Sequence, residues 1–504
     1  MSSSSSSSPL IAFSFLLIYG LLLQLSIPAF GQRNEINIDP TTTSNNELRF
    51  QLIHRHLFDN SAPKTRIERV KDLVQVDLVR VQMISWRLFG YQHDDHHHHH
   101  HHKIYKRKDL EISTSSKKKT APSAVIPISS AAYKGIGQYF VPLRVGTPAK
   151  QFSLIVDTGS DLTWLNCRYR CKKCAQRPRT NHHKIFHADK SSSFKSIPCS
   201  SELCKNLSFS LSTCPSTKDP CQYDYGYKDG SNARGIYAKE TVTVGLTNGR
   251  KTRLHNVVVG CSFSTSTGST FGAADGVLGL GYSDNSFALK ATASFGSKFT
   301  YCLVDHLSPK NVSSFLTFGN SRGTKHSGSG SSSTNMQYTE LLLKAIDGFY
   351  PVNVVGVSVG GSMLKIPFNI FDVQSQGGVI LDSGTSLTFL AEPAYKIVMT
   401  VLKAPLMKFK QEKDDIFEFC FSSVGFNETV VPKLVFHFTG NIRFEPPVKS
   451  YVIDVSDGVK CLGFMSNEWP GVSIIGNIMQ QNFLWEFDLA GKRLGFAPST
   501  CAQH

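Results

Sequence analysis

"IVDTGSDLTW" runs from Ile155 to Trp164, and "VILDSGTSLTFL" runs from Val379 to Leu390. In each, aliphatic residues lead into an aspartate, then a hydroxyl residue, a glycine and a second hydroxyl residue. The two aspartates, Asp157 and Asp382, stand 225 positions apart. Downstream, each copy has an aliphatic pair beside a glycine, in "ADGVLGLG" (Ala274 to Gly281) and in "SIIGNIMQQNF" (Ser473 to Phe483). The interval from Asp157 to Gly279 is 122 residues, and that from Asp382 to Gly476 is 94. An isolated Asp-x-Gly is a common turn signal. Two of them with matched partners downstream form an internal repeat, which predicts two homologous lobes facing each other. The excess of the first half is assigned to a cysteine-rich insertion between Cys167 and Cys221.

Around the motifs, short β-branched and aromatic runs alternate with Gly, Asn and Pro, as in "GQYFVPLRVGTP", "QFSLIVDTGS", "ETVTVG" and "VVVGCSF". That pattern predicts antiparallel, all-β structure. A Ser/Gly-rich stretch from Ser321 to Asn335 reads as a linker, and similar strands resume beyond it in "FYPVNVVGVSVGG". The expected organisation is a β lobe over 131–335 and a second over 336–504. A 504-residue chain has room for both.

The residues before these lobes differ in composition. The apolar run 10–30, with the small residues Ala29 and Gly31 at its end, predicts a secretory signal peptide over 1–31. Its flank, "MSSSSSSS", carries no Lys or Arg, and its length approaches that of a membrane anchor. Residues 32–130 then read as a removable propeptide. "RIERVKDLVQVDLVRVQMISWRLF", Arg66 to Phe89, has valines and leucines at helical spacing. Histidines 96–102 are read as an exposed low-complexity tract rather than a metal site.

All 12 cysteines follow residue 160, which predicts disulfides and an oxidising compartment. Cys167, Cys171 and Cys174 have irregular spacing for a zinc site, and bridges account for them better. Sequons at Asn206, Asn311 and Asn427 agree with secretion. The formal charge is +16; residues 131–504 hold 38 Lys+Arg against 27 Asp+Glu. No aromatic–basic RNA motif, zinc finger or basic helix accompanies that excess, so nucleic-acid binding is not expected.

The motifs above resemble those of pepsin-like aspartic proteases of the plant nepenthesin-type group. "VGTPAKQF", "LTWLNCRYR", "KETVTVGLTNGR", "YCLVDHLS", "KCLGF" and "IGNIMQQNFLWEFDL" extend the likeness over nearly all of the chain after residue 135. The resemblance implies a bilobal β fold with a central cleft, extended polypeptide substrates, pepstatin-like inhibitors, a monomer, and no cofactor or metal. It also implies a flap tyrosine: "YKDGS", Tyr227 to Ser231, makes Tyr227 that residue. Trp164 would be its support, and Lys228 stands where the family has glycine. A Cys420–Cys461 bridge is implied likewise.

The chemistry explains the repeat. One carboxylate takes a proton from water while a partner carboxylic acid hydrogen-bonds the scissile carbonyl, so Asp157 and Asp382 are the expected catalytic pair. Two close carboxyls share a proton, a general behaviour of such pairs rather than something read from these residues. Gly159 and Gly384 are expected where a Cβ would clash. Thr158, Ser160, Ser383 and Thr385 are expected to donate hydrogen bonds that hold the carboxylates. Basic residues of the propeptide are expected to pair with the dyad at neutral pH and release as the carboxylates protonate. Against this stand two other readings: a binding protein of the same fold that has lost the dyad, or a cell-wall glycoprotein held by charge. Apoplast or vacuole is the expected location, with chloroplast as the alternative.

Overall fold

The computed structural model describes residues 74, 77, 78, 80, 81 and 84, then 124–130, 139–169, 184–205, 214, 216–226, 232–246, 248–265, 274–305, 314–319 and 336–501. The signal peptide, the histidine tract, the Ser/Gly linker, Asn206, Asn311 and Tyr227 lie outside them.

In the first half, β1 (Tyr139–Val145), β2 (Lys150–Asp157), β3 (Trp164–Arg168), β4 (Gln222–Gly226), β5 (Asn232–Gly245), β6 (Lys251–Thr265) and β7 (Gly276–Gly279) follow in order. In the second half, the site is framed by β8 (Val379–Asp382), β9 (Thr388–Ala391) and β10 (Ser473–Gly476). The aliphatic runs form strands because their side chains are buried on packed sheets: Leu154, Val156, Ile380 and Leu381 are all in the core.

The repeat survives as register. β7 runs parallel to β2 with Gly279 opposite Asp157, and β10 runs parallel to β8 with Gly476 opposite Asp382. Thus intervals of 122 and 94 residues end at equivalent places. The glycines are there for close approach. A Cβ on Gly279 would lie 2.6 Å from the Asp161 carbonyl, and one on Gly476 would lie 2.0 Å from the Leu387 carbonyl. Each aspartate therefore ends a strand braced by a neighbour from much later in the chain.

The halves are joined by a sheet with 15 strands among the described residues, in which Lys298–Cys302 of the first pairs with Phe483–Asp488 of the second. Phe299 and Phe487 stack across that junction at 4.5 Å between ring centres. Ala124–Ser130, within the stretch read as propeptide, pairs with Ser314–Phe318 in the same sheet.

Five disulfides lie among the described residues: Cys167–Cys261, Cys199–Cys214, Cys204–Cys221, Cys302–Cys501 and Cys420–Cys461. Three of the five fall in the first half. The clustered sulfurs of Cys199, Cys204 and Cys214 thus belong to two bridges. Asn427 is exposed and begins a short 3-10 turn, its side chain accepting from Thr429 N at 3.0 Å.

Candidate active site

β2 and β8 end on Asp157 and Asp382, which are 1% and 0% exposed. The turns after them repeat one another atom for atom. Gly159 N–H donates to Asp157 Oδ1 at 2.9 Å, and Gly384 N–H to Asp382 Oδ1 at 2.8 Å. Ser160 Oγ donates to Asp157 Oδ2, and Thr385 Oγ1 to Asp382 Oδ2, both at 2.6 Å. Each carboxylate is thereby oriented by one backbone and one hydroxyl donor.

Thr158 and Ser383 do something else, and here the expectation needs correction. Their hydroxyls do not hold the carboxylates; they tie the two turns to each other. Thr158 N donates to Ser383 Oγ at 3.1 Å, and Ser383 N to Thr158 Oγ1 at 2.9 Å. Thr158 Oγ1 then donates to Leu381 O at 3.3 Å, and Ser383 Oγ to Val156 O at 3.0 Å. Each hydroxyl accepts from the facing turn and donates behind it. This buried, reciprocal set fixes the distance between the halves.

The glycines also have a reason sharper than turn geometry. A Cβ on Gly159 would meet Asp382 Cγ at 2.7 Å, and one on Gly384 would meet Asp157 Oδ1 at 2.5 Å. Each glycine makes room for the carboxyl of the opposite half, so the two acids share one space.

A residue not singled out from the sequence occupies that space. Arg80 Nε donates to Asp382 Oδ2 at 2.6 Å and Nη2 to Asp382 Oδ1 at 3.0 Å. Nη1 donates to Asp157 Oδ2 at 2.9 Å, and Nη2 also contacts Asp157 Oδ1. One guanidinium therefore bridges both aspartates, using its planar fork on each side. Three positions earlier, the Asp77 carboxylate accepts from Ser386 N at 2.9 Å and Leu387 N at 2.6 Å. Val74, Asp77, Leu78, Arg80, Val81 and Ile84 are helical, and Val74, Val81 and Ile84 are buried against second-half residues that include Phe349, Ile380 and Leu387. The helical spacing was legible, and so was a role for some basic residue. What singles out Arg80 is its place one turn from Asp77 on the same side of the helix.

These contacts set the ionisation. Burial raises Asp157, with Asp382 adding to it against the pull of Arg80. Burial would raise Asp382 also, but Arg80 and the donors Thr385 and Gly384 hold it below the usual carboxylate range. Burial lifts Asp77 to about 7, although backbone N–H groups of Leu387 and Ser386 oppose the rise. Arg80 itself is held more firmly protonated by both aspartates, which outweigh its burial.

Trp164 opens β3 and is buried beside Tyr223 and Tyr237. It sits beneath the β4–β5 hairpin, whose tip, Tyr227 included, lies outside the described residues.

Residues 139–320 match the family described as xylanase inhibitor N-terminal, and residues 349–498 the one described as xylanase inhibitor C-terminal. The chain is 37% identical over 381 residues to aspartyl protease family protein 2 of Arabidopsis thaliana, covering 74% of this chain and 73% of that one. It is 33% identical over 384 residues to aspartic proteinase nepenthesin-1 of Nepenthes gracilis, covering 74% and 80%. The chain belongs to the plant pepsin-like aspartic proteases. The protease is an aspartic-type endopeptidase, and its substrates are polypeptides. Its fold is shared with the solved structure of edgp, at TM-score 0.61 and 20% identity over 77% of this chain and 97% of that one. Basic 7S globulin from soybean is similar at TM-score 0.58 and 20% identity, over 75% and 97%.

Proposed function

We propose that the protease is made as a latent precursor whose own segment, the one that carries Asp77 and Arg80, blocks the dyad, and that it becomes active at acidic pH when that segment leaves. The observation that carries this reading is the Arg80 guanidinium bridging Asp157 and Asp382. No water can be activated between two carboxylates that are both committed to an arginine.

With Arg80 gone, the two acids compete to ionise in one desolvated space and retain one proton between them. The ionised member takes a proton from a water held between them. The water oxygen attacks the scissile carbonyl, whose oxygen accepts a hydrogen bond from the protonated member. The tetrahedral intermediate collapses as that proton balance is returned to the leaving amine. Ser160 and Thr385 keep each carboxyl aimed, and the Thr158–Ser383 ties keep the pair at working distance. No side-chain nucleophile is needed.

Acid releases the segment through the dyad. Asp382 is held ionised below its ordinary range while Arg80 is docked, so that contribution is present above the free value and is lost as pH falls through the docked one. A monomer inhibited by pepstatin-like compounds is the accompanying reading. The leader, the sequons and the bridges favour the secretory pathway, with delivery to the apoplast or vacuole and chloroplast as the alternative; a fluorescent fusion with and without residues 1–31 separates them.

The test is cleavage of a denatured protein at acidic pH, blocked by pepstatin and absent in Asp157→Asn. N-terminal sequencing of the active form should find a start after Ile84, between about residues 115 and 140, where the basic stretch gives way to strands. A fully active form starting at residue 32 with Arg80 still docked refutes latency.

A further inference from the structure

Away from the cleft, the outer face of the first half has three cations and no acid among them. Arg144 on β1 lies opposite Thr243 on β5, and Thr243 lies opposite Arg253 on β6, so the three form one row across the sheet. Lys251, two residues before Arg253, lies on the same face opposite Gly245. Arg144, Lys251 and Arg253 are exposed. With Ala149, Thr243 and Thr252 they line a depression of about 310 Å³. Two strand spacings put the backbones of Arg144 and Arg253 roughly 10 Å apart, about one screening length at ordinary ionic strength.

Several cations elsewhere have acidic partners: Lys298 meets Glu486 and Asp488, Arg493 meets Asp488, and Lys460 meets Asp454. Among the described residues, none of Arg144, Lys251 and Arg253 forms an ion pair. Like charges brought together on a sheet destabilise it slightly, and no acid among the described residues pairs with these three. The floor between them is small: Thr243 carries a short side chain and Gly245 none. The walls are two guanidinium forks and an ammonium, groups suited to carboxylate. Among the described residues no aromatic ring lines the depression, so nucleic-acid bases have nothing to stack on there.

We propose that this groove binds a carboxylate-bearing polysaccharide, with Arg144 and Arg253 each engaging a uronate along the polymer and Lys251 adding a third contact. Such a site would hold the protease on an acidic matrix through a surface separate from the cleft.

The probe is soluble polygalacturonate, with neutral dextran and single-stranded DNA of matched length as comparators. Binding to the full chain is measured at several salt concentrations. Polygalacturonate should bind, dextran should not, and salt should weaken the binding steeply. Arg144→Glu/Arg253→Glu should weaken it roughly tenfold or more, as expected for two cations facing an anionic surface. Lys396→Glu/Lys433→Glu makes the same change in net charge at two ion-paired lysines of the other half, and should change it less than about twofold. Equal losses in the two double variants would reduce the effect to net charge and overturn the proposal. So would an unaffected groove variant, or DNA binding tighter than polygalacturonate. Should the glutamate variant misfold, Arg144→Gln/Arg253→Gln replaces it, with Lys396→Gln/Lys433→Gln as its charge-matched comparator, and is held to the same outcomes, with peptide hydrolysis after segment removal reporting a native fold.

Discussion

The two halves of the site are the same at the atoms that touch the carboxyls and different in almost everything around them. Gly159 and Ser160 do for Asp157 what Gly384 and Thr385 do for Asp382, to within 0.1 Å. Yet the first half is stapled by three bridges in and around its insertion. The second alone receives the Asp77 anchor at Ser386 and Leu387. The docked segment also divides the pair: Asp157 is raised and Asp382 lowered. Symmetry therefore belongs to the chemistry, while asymmetry comes from the first half's bridges and from what is docked on the second.

The strongest way to break the comparison is to remove one acid. Asp157→Asn and Asp382→Asn should each lower peptide hydrolysis by about 10⁴-fold, because neither acid acts alone; a variant with most of its activity would mean the halves are not partners. Next in size is Arg80→Met, which leaves two buried carboxylates facing each other without a cation. Breaking such a pairing costs about 3–5 kcal/mol, so the uncleaved chain should gain roughly 10²–10³-fold in activity at pH 5, read with a quenched peptide. Gly384→Ala places a Cβ against Asp157 and should cost about 100-fold in kcat; Gly159→Ala should match it if the halves are equivalent.

Smaller effects sharpen the picture. Thr158→Val strands the buried Ser383 N–H, and calorimetry should show a loss of about 2 kcal/mol, with Ser383→Ala comparable. Asp77→Asn should alter only a pH dependence. Asp77 is raised to about 7 when docked, so docking takes up a proton, and its contribution is full below the free value of 3.8 and lost as pH rises through about 7. Asp77 thus works against the acid release driven through Asp382, and above pH 7 the Arg80 pairs still keep the segment docked. Protection from an added protease should therefore fall only modestly between pH 6 and 8 in the wild type and stay flat in Asp77→Asn.

Much of this could be read in advance because it is written locally. The motifs "DTGS" and "DSGTS" name the aspartates, and the downstream glycines name their braces, since both depend on short-range backbone geometry. The direction of Thr158 and Ser383 was not legible. A hydroxyl next to an aspartate in sequence points away from it here, because alternate residues leaving a strand face opposite sides. Arg80 could be sensed only as one among many basic residues. Selecting it requires the helix register and the site at once, and those are 77 and 302 positions apart in the chain. The groove at Arg144 and Arg253 was equally hidden, for it is assembled from strands that meet only when folded.

The central claim is that one pair of acids, drawn from two halves, is occupied by Arg80 until the segment departs. Calorimetric titration of the uncleaved chain with pepstatin at pH 5 tests it most directly. The account predicts no measurable binding to the wild type and one-to-one binding to Arg80→Met. Stoichiometric binding to the uncleaved wild type with the segment still docked, or none to Arg80→Met once its fold is verified, would contradict it.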